Sequence, residues 1–351
     1  MKEKITKKKL LFATLSFLTI AVLVIFLALP TSEQGRPMYA FFLYDGDDTF
    51  IAEMMDYISS VISEDIFYEV HDAGNFQSVQ NRQIVESIDN DVDIFIINTV
   101  DRLAAGFIVE RLSKDGIPII FFNREPLEVA LAGNDNVFYV GADSVSLGMK
   151  QADLAAMYFT GELSGYKKEV GDTIRVVILK GEHGHQDAEK RTESSVNRLV
   201  ELGFDVEVLA IRSANWRRQD AYEAMQLLYY QFGRNIDLVF SNNDDMALGA
   251  IDYLLGSGVF TLGNEPNEQP FVIISVDGTP VGLEAVNRGL ILGTVHNNII
   301  RQSEAILTLA DYIINGRDFE GFPHPIYNRH FIYIDGDIIT KDNVMDYIRT
   351  K

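Results

Sequence analysis

From Tyr39 onward, short runs of Ile, Val, Phe and Tyr alternate with segments of helical periodicity, and this pattern limits the fold more than any other feature. The runs at 39–44, 93–97, 117–122, 176–179, 238–240 and 271–276 are almost unbroken by polar residues. Such runs fit strands buried on both faces, as in a parallel sheet. Between them, Ile51, Met54, Met55, Ile58, Val61 and Ile62 keep to one helical face. The same holds for Ala221, Ala224, Met225 and Leu228, and for Met246, Ile251, Leu254 and Leu255. Strand–helix alternation means βαβ units with right-handed crossovers. A chain of 351 residues has room for two such domains.

Seven strand-like runs, these and others, lead into residues that can hold a polar ligand. YAFFLY leads to Asp48 and Phe50, DIFIIN ends at Asn98, and RVVILKG leads to His185, Asp187 and Arg191. VEVLAI leads to Trp216, DLVFS to Asn243, FVIISV to Asp277 and ILGTVH to Asn297. In open α/β sheets ligands bind beyond the carboxyl ends of the strands. A single Asp or Asn there is ordinarily a helix cap, but seven in phase call for more. Planar carboxylates and amides can grip adjacent hydroxyls, Arg191 adds a fork of donors, and Phe50 and Trp216 offer flat apolar faces. A pyranose has matching needs, with hydroxyls around its rim and C–H groups on its faces. Phosphate fits poorly, because Asp48, Asp187 and Asp277 would repel it and there is no Gly-rich phosphate loop. The net charge of −21 also argues against nucleic acid.

The segments YDGDDTF, IINTVD, IPIIFFNREP, YVGADS, LKGEHGHQDAEKRT, ANW, SNNDDMALGA, SVDGTP and GTVHNN resemble the bacterial galactose/glucose-binding proteins. These are type I periplasmic binding proteins, the solute receptors of sugar ABC importers. The resemblance runs from about residue 39 to the C-terminus. It implies two doubly wound parallel-sheet α/β domains joined by three hinge crossings, with the sugar between them and no cofactor. It places the crossings near Phe122, Asn298 and Phe331. One lobe is then 37–122 plus 299–330, and the other 123–298 plus 331–351. It implies Phe50 and Trp216 as an aromatic sandwich and Asp48 as the carboxylate on the 4-hydroxyl. His185, Asp187, Arg191, Asn98, Asn243, Asp277 and Asn297 complete the polar set. The implied partners are D-galactose or D-glucose and a membrane permease, or a membrane sensor in its place, with the receptor itself a monomer.

One stretch departs from the family. Where a calcium loop is expected, the alternating ligand positions fall on Lys167, Glu169, Gly171, Thr173 and Arg175, with Asp237 as the distant carboxylate. Calcium takes six to eight oxygen ligands. The expectation is therefore no metal, with Arg175 or Lys167 paired to Asp237 instead.

The first 36 residues carry six basic side chains against two acidic ones, and residues 10–29 carry no charge. Lysines before an apolar run hold that end in the cytoplasm and place the rest outside. A cleaved signal peptide and an uncleaved N-terminal apolar helix both fit. With no cysteine in the chain, a lipid on cysteine is excluded, and any tether would be the run itself. Three other readings are weaker. His183, His185 and Asp187 spell the start of a zinc-hydrolase motif, but Ala188 stands where its next His belongs. A glycosidase-like carboxylate pair is conceivable, though Asn and Arg partners should keep these carboxylates ionised. A sugar-responsive transcription factor would need a helix-turn-helix where the apolar run stands.

Overall fold

The computed structural model describes residues 35–163 and 172–348. The apolar run at 10–29 and positions Lys167, Glu169 and Gly171 lie outside the described residues. Among those described, no helix is long and apolar enough to cross a membrane.

Among the described residues, twelve strands form two sheets: β1 Met38–Leu43, β2 Phe67–Asp72, β3 Ile94–Ile97, β4 Ile119–Phe122, β5 Val137–Ala142, β6 Thr173–Lys180, β7 Asp205–Ser213, β8 Leu238–Ser241, β9 Val272–Asp277, β10 Gly293–His296, β11 Phe331–Ile334 and β12 Asp337–Thr340. Their orders are β11-β5-β4-β3-β1-β2 and β12-β10-β9-β8-β6-β7. Apart from the last strand, both sheets follow one doubly wound order, second-first-third-fourth-fifth. The registers are parallel throughout, except that β12 runs antiparallel to β10.

Alternation along each strand sends side chains to two helix-covered faces. Phe41, Ile96 and Ile120 pack on one face of the first sheet, and Phe42, Phe95 and Phe121 on the other. In the second sheet Val177, Val239 and Ile273 divide in the same way from Val176, Phe240 and Ile274. β3, β4 and β8 are buried at every position, which is why they read as continuous apolar runs. Truncating one of these side chains, as in Phe121→Ala, should cost about 3–5 kcal/mol. The edge strands β2 and β7 are largely exposed and more polar, and for that reason they carry weaker signals in the sequence.

The lobe boundaries differ from the expected ones at two of three crossings. β5 pairs with β4 and with β11, so residues 123–142 and 331–334 belong to the first lobe. The crossings lie at about 142–143, 298–299 and 334–335. The crossing that the resemblance implies near Phe122 falls one strand too early, at the end of β4. The crossings are bound together: Asp143 N donates to the Ile334 carbonyl at 3.0 Å. A Cβ on Gly336 would sit 2.1 Å from the His296 carbonyl oxygen, so only glycine lets those two segments touch.

Candidate ligand site

Each lobe aims the carboxyl ends of its strands at the other, and a small cavity of about 30 Å³ lies between them. In each sheet the cavity faces the switch point where the winding reverses, between β1 and β3 and between β6 and β8. Tyr44, Asp48, Phe50 and Asn123 line it from the first lobe. His185, Asp187, Arg191, Trp216, Asn243, Asp277 and Asn297 line it from the second. Phe50 thus comes from one lobe and Trp216 from the other.

Local structure fixes most of these groups. Asp48 caps the helix Thr49–Val61, its Oδ1 accepting from Ile51 N at 3.0 Å, and Oδ2 accepts from the Tyr44 hydroxyl at 2.6 Å. Asn243 caps the helix Asp244–Gly256 through Oδ1, and its Nδ2 donates to the Trp216 carbonyl at 3.2 Å. Trp216 and Asn215 both have positive φ, at 65° and 50°. The indole lies so close to Gly181 that a Cβ there would be 2.3 Å from it. His185 caps the helix Gln186–Glu201: its Nδ1 accepts from Asp187 N at 3.2 Å. That bond puts the proton of the neutral ring on Nε2. Burial, then Arg124, Arg191 and Arg102, push the His185 pKa well below its usual value and keep the ring neutral.

Arg191 is the hub of the second lobe's half. It donates through Nη1 to the Asn242 carbonyl at 2.8 Å and through Nη2 to Asp187 Oδ2 at 3.2 Å, and Nη1 stands 3.6 Å from Asp277 Oδ1. Asn297 Nδ2 donates to Asp277 Oδ1 at 3.2 Å, while its own Oδ1 accepts from Gln302 Nε2 at 2.6 Å. Asp277 holds φ at 118°, a region where only glycine is at ease. Such strain concentrates at functional positions. Burial pushes the carboxyls of Asp48, Asp187 and Asp277 upward, and most strongly at Asp277. The partners were expected to hold these groups in the ordinary ionised range, but desolvation outweighs them. Buried carboxylates of this kind seek further hydrogen-bond donors. Asp187 Oδ1 and Arg191 Nε are buried and have no hydrogen-bond partner among the described residues.

Nine of the ten expected site residues line the cavity. Asn98 does not. It is fully buried behind the wall, where its Nδ2 donates to the Phe122 carbonyl and to Asn123 Oδ1, both at 3.1 Å. The cavity group there is Asn123, with φ at 58° and its carbonyl accepting from the Tyr139 hydroxyl at 3.0 Å. Asn123 directly follows the run at 117–122, so the strand-end rule would have found it. Tyr44 was also missed, because it closes an apolar run and reads as core. The zinc motif is not assembled: His183 is 88% exposed and His185 is buried. Arg175 pairs with Asp237 through Nε at 3.0 Å and Nη2 at 3.2 Å, as the degraded loop suggested.

The family model described as the periplasmic binding protein domain matches residues 39–318. The chain belongs to the periplasmic binding protein family. It is 30% identical over 311 residues to the D-galactose/methyl-galactoside-binding periplasmic protein of Haemophilus influenzae, covering 88% of this chain and 90% of that one. It is likewise 30% identical over 272 residues to the xylitol-binding protein of Mycolicibacterium smegmatis, covering 78% and 68%. Among solved structures, an ABC transporter solute-binding protein of Bacillus halodurans with bound myo-inositol matches at a TM-score of 0.75 and 26% identity. That match covers 92% of this chain and all of the other.

Proposed function

We propose that the protein is an extracytoplasmic receptor that takes one hexopyranose, D-galactose or D-glucose, between its lobes and hands it to the permease of an ABC importer. The observation that carries this reading is the lining itself. A flat apolar side chain from each lobe can meet the two C–H faces of a pyranose, and planar Asp, Asn and Arg groups surround the rim. Asp48 and Asp277 accept from hydroxyls, Asn123 and His185 Nε2 donate, and Arg191 can do so through Nε. Each bond between a charged group and a hydroxyl is worth about 1.5–3 kcal/mol. Binding to both lobes favours the closed arrangement over the open one, and hinge rotation at the three crossings follows. The relatives' ligands, a galactoside, xylitol and myo-inositol, are all polyhydroxylated, which supports the class. The run at 10–29 serves in this reading as the export signal or as an uncleaved tether that keeps the receptor near its membrane partner.

Trp216 is the only tryptophan, so its fluorescence reports on the cavity without a label. D-glucose and D-galactose should each change it saturably, and ribose and arabinose weakly or not at all. No response to either hexose, with calorimetry also blank, would defeat the proposal.

A further inference from the structure

Beside the cavity two short ion pairs cross from lobe to lobe, with a longer contact between Arg217 Nη2 and Asp45 Oδ2 at 3.8 Å on the rim. Arg124 Nη2 donates to Glu182 Oε2 at 2.6 Å, and Lys190 Nζ donates to Glu125 Oε2 at 2.9 Å. Arg124 and Glu125 are consecutive and directly follow the lining Asn123. Glu182 stands in the loop after β6. Lys190 lies on the helix Gln186–Glu201, which also carries Asp187 and Arg191. The signs are therefore plus then minus on the first lobe, and minus then plus on the second. A slip by one partner would set like charges against each other, so the pairs specify a single closed register.

Arg124 also touches a residue that lines the cavity. Its guanidinium carbon lies 3.6 Å from the centroid of the Tyr44 ring, and its Nη1 donates to the Val100 carbonyl at 2.6 Å. The Tyr44 hydroxyl in turn donates to Asp48. The ligand-facing carboxylate is thus two contacts away from a cross-lobe bond.

We infer that Arg124–Glu182 and Glu125–Lys190 form a two-toothed clasp that sets the receptor's affinity by stabilising the closed form, with Arg124 as the positioning residue that ties it to Asp48 through Tyr44. This rests on reading the cavity as a sugar site. The pairs exist only when the lobes are together, so they favour closure equally for every ligand. Breaking them multiplies the Kd of all sugars by one factor. Altering a cavity residue changes each sugar differently.

The test uses Glu182→Gln and Lys190→Gln, both at partly exposed positions, together with the charge exchange Glu125→Lys with Lys190→Glu. Calorimetry with D-glucose and D-galactose should show each single change raising both Kd values by the same factor, about two- to tenfold. The exchange should recover most of the loss. Because the chain has no cysteine, Ser78→Cys on the first lobe and Gln226→Cys on the second give two unique spin-label sites, both exposed. Without sugar, the label distances should shift toward the open arrangement in Glu182→Gln. Unchanged Kd values, or an altered glucose-to-galactose ratio with unchanged distances, would overturn the clasp. The label distances need no sugar. A wild-type protein that binds neither hexose would therefore defeat the sugar reading and leave the clasp to be judged on distances alone.

Discussion

The second lobe brings seven side chains to the cavity and the first brings four, and the two sets differ in kind. In the second lobe Arg191 links Asp187, Asp277 and the Asn242 carbonyl into a charged network, and Asn297 is fixed from Gln302, while Asn243 is bonded apart from it to the Trp216 carbonyl. The first lobe's set is a looser chain around a single carboxylate: the Tyr44 hydroxyl holds Asp48, Tyr44 N donates to Asn98 Oδ1 at a long 3.5 Å, and Asn98 holds Asn123. A connected charged network is rigid before any ligand arrives, and rigid donors bind without an ordering cost. On the proposed sugar reading, the second lobe is the platform that defines the ligand, and the first is the cover that completes it.

The comparison breaks most visibly at Asp277. Asp277→Ala leaves Arg191 facing the cavity without one of its carboxylates, and loss of one buried charged partner costs about 2–5 kcal/mol. Hexose affinity should fall by over about a hundredfold in calorimetry, with the circular-dichroism spectrum unchanged. If Asp277→Ala binds as well as the wild type, the second lobe is not the platform.

Within the first lobe, Asn98 and Asn123 should separate. Asn123→Ala removes a cavity group and should weaken hexose binding by about tenfold with little change in melting temperature. Asn98→Ala removes the buried bonds to Tyr44 N, the Phe122 carbonyl and Asn123 Oδ1 and should cost about 1–3 kcal/mol of stability, read by urea titration. The reverse assignment of effects would put Asn98 back among the ligands.

Acid should act through His185. Its folded pKa lies below the unfolded value of about 6.5, so below that pH the unfolded state binds more protons and the fold loses stability. Melting temperature should drop between pH 7.5 and 5.5, and less so in His185→Gln. The raised carboxyls of Asp48, Asp187 and Asp277 work in the opposite sense as they take up protons, so the difference between the two proteins isolates the histidine.

The smallest effect concerns a site away from the cavity. Arg175 fills the place beside Asp237 that a cation would otherwise take, so added calcium or chelator should leave the melting temperature and hexose affinity unchanged. Micromolar calcium binding with a stoichiometry of one would contradict this.

The sequence made the platform more legible than the cover. Inner strands such as β8 and β9 are apolar on both faces and end abruptly in Asn243 and Asp277, so pattern and ligand sit side by side. The first lobe hid two of its four cavity groups. Tyr44 belongs to an apolar run, and its hydroxyl bond to Asp48 leaves no mark on periodicity. Asn98 and Asn123 end adjacent strands, and both satisfy the strand-end rule. Only the three-dimensional bond between them tells which one stands in front. The lobe boundaries were misplaced for a related reason. β11 is four residues long and joins β5 from far along the chain, a pairing that local pattern does not encode.

That late pairing also bears on how the protein comes to be folded. Both sheets receive their sixth strand, β11 for one and β12 for the other, from a single short stretch at 331–340. A chain that emerges N-terminus first has made nearly all of both lobes before either can be sealed along that edge. Until then β5 and β10 expose unpaired backbone groups, as any open edge does. The two lobes reach their finished form together, and losing those ten residues would damage both halves at once.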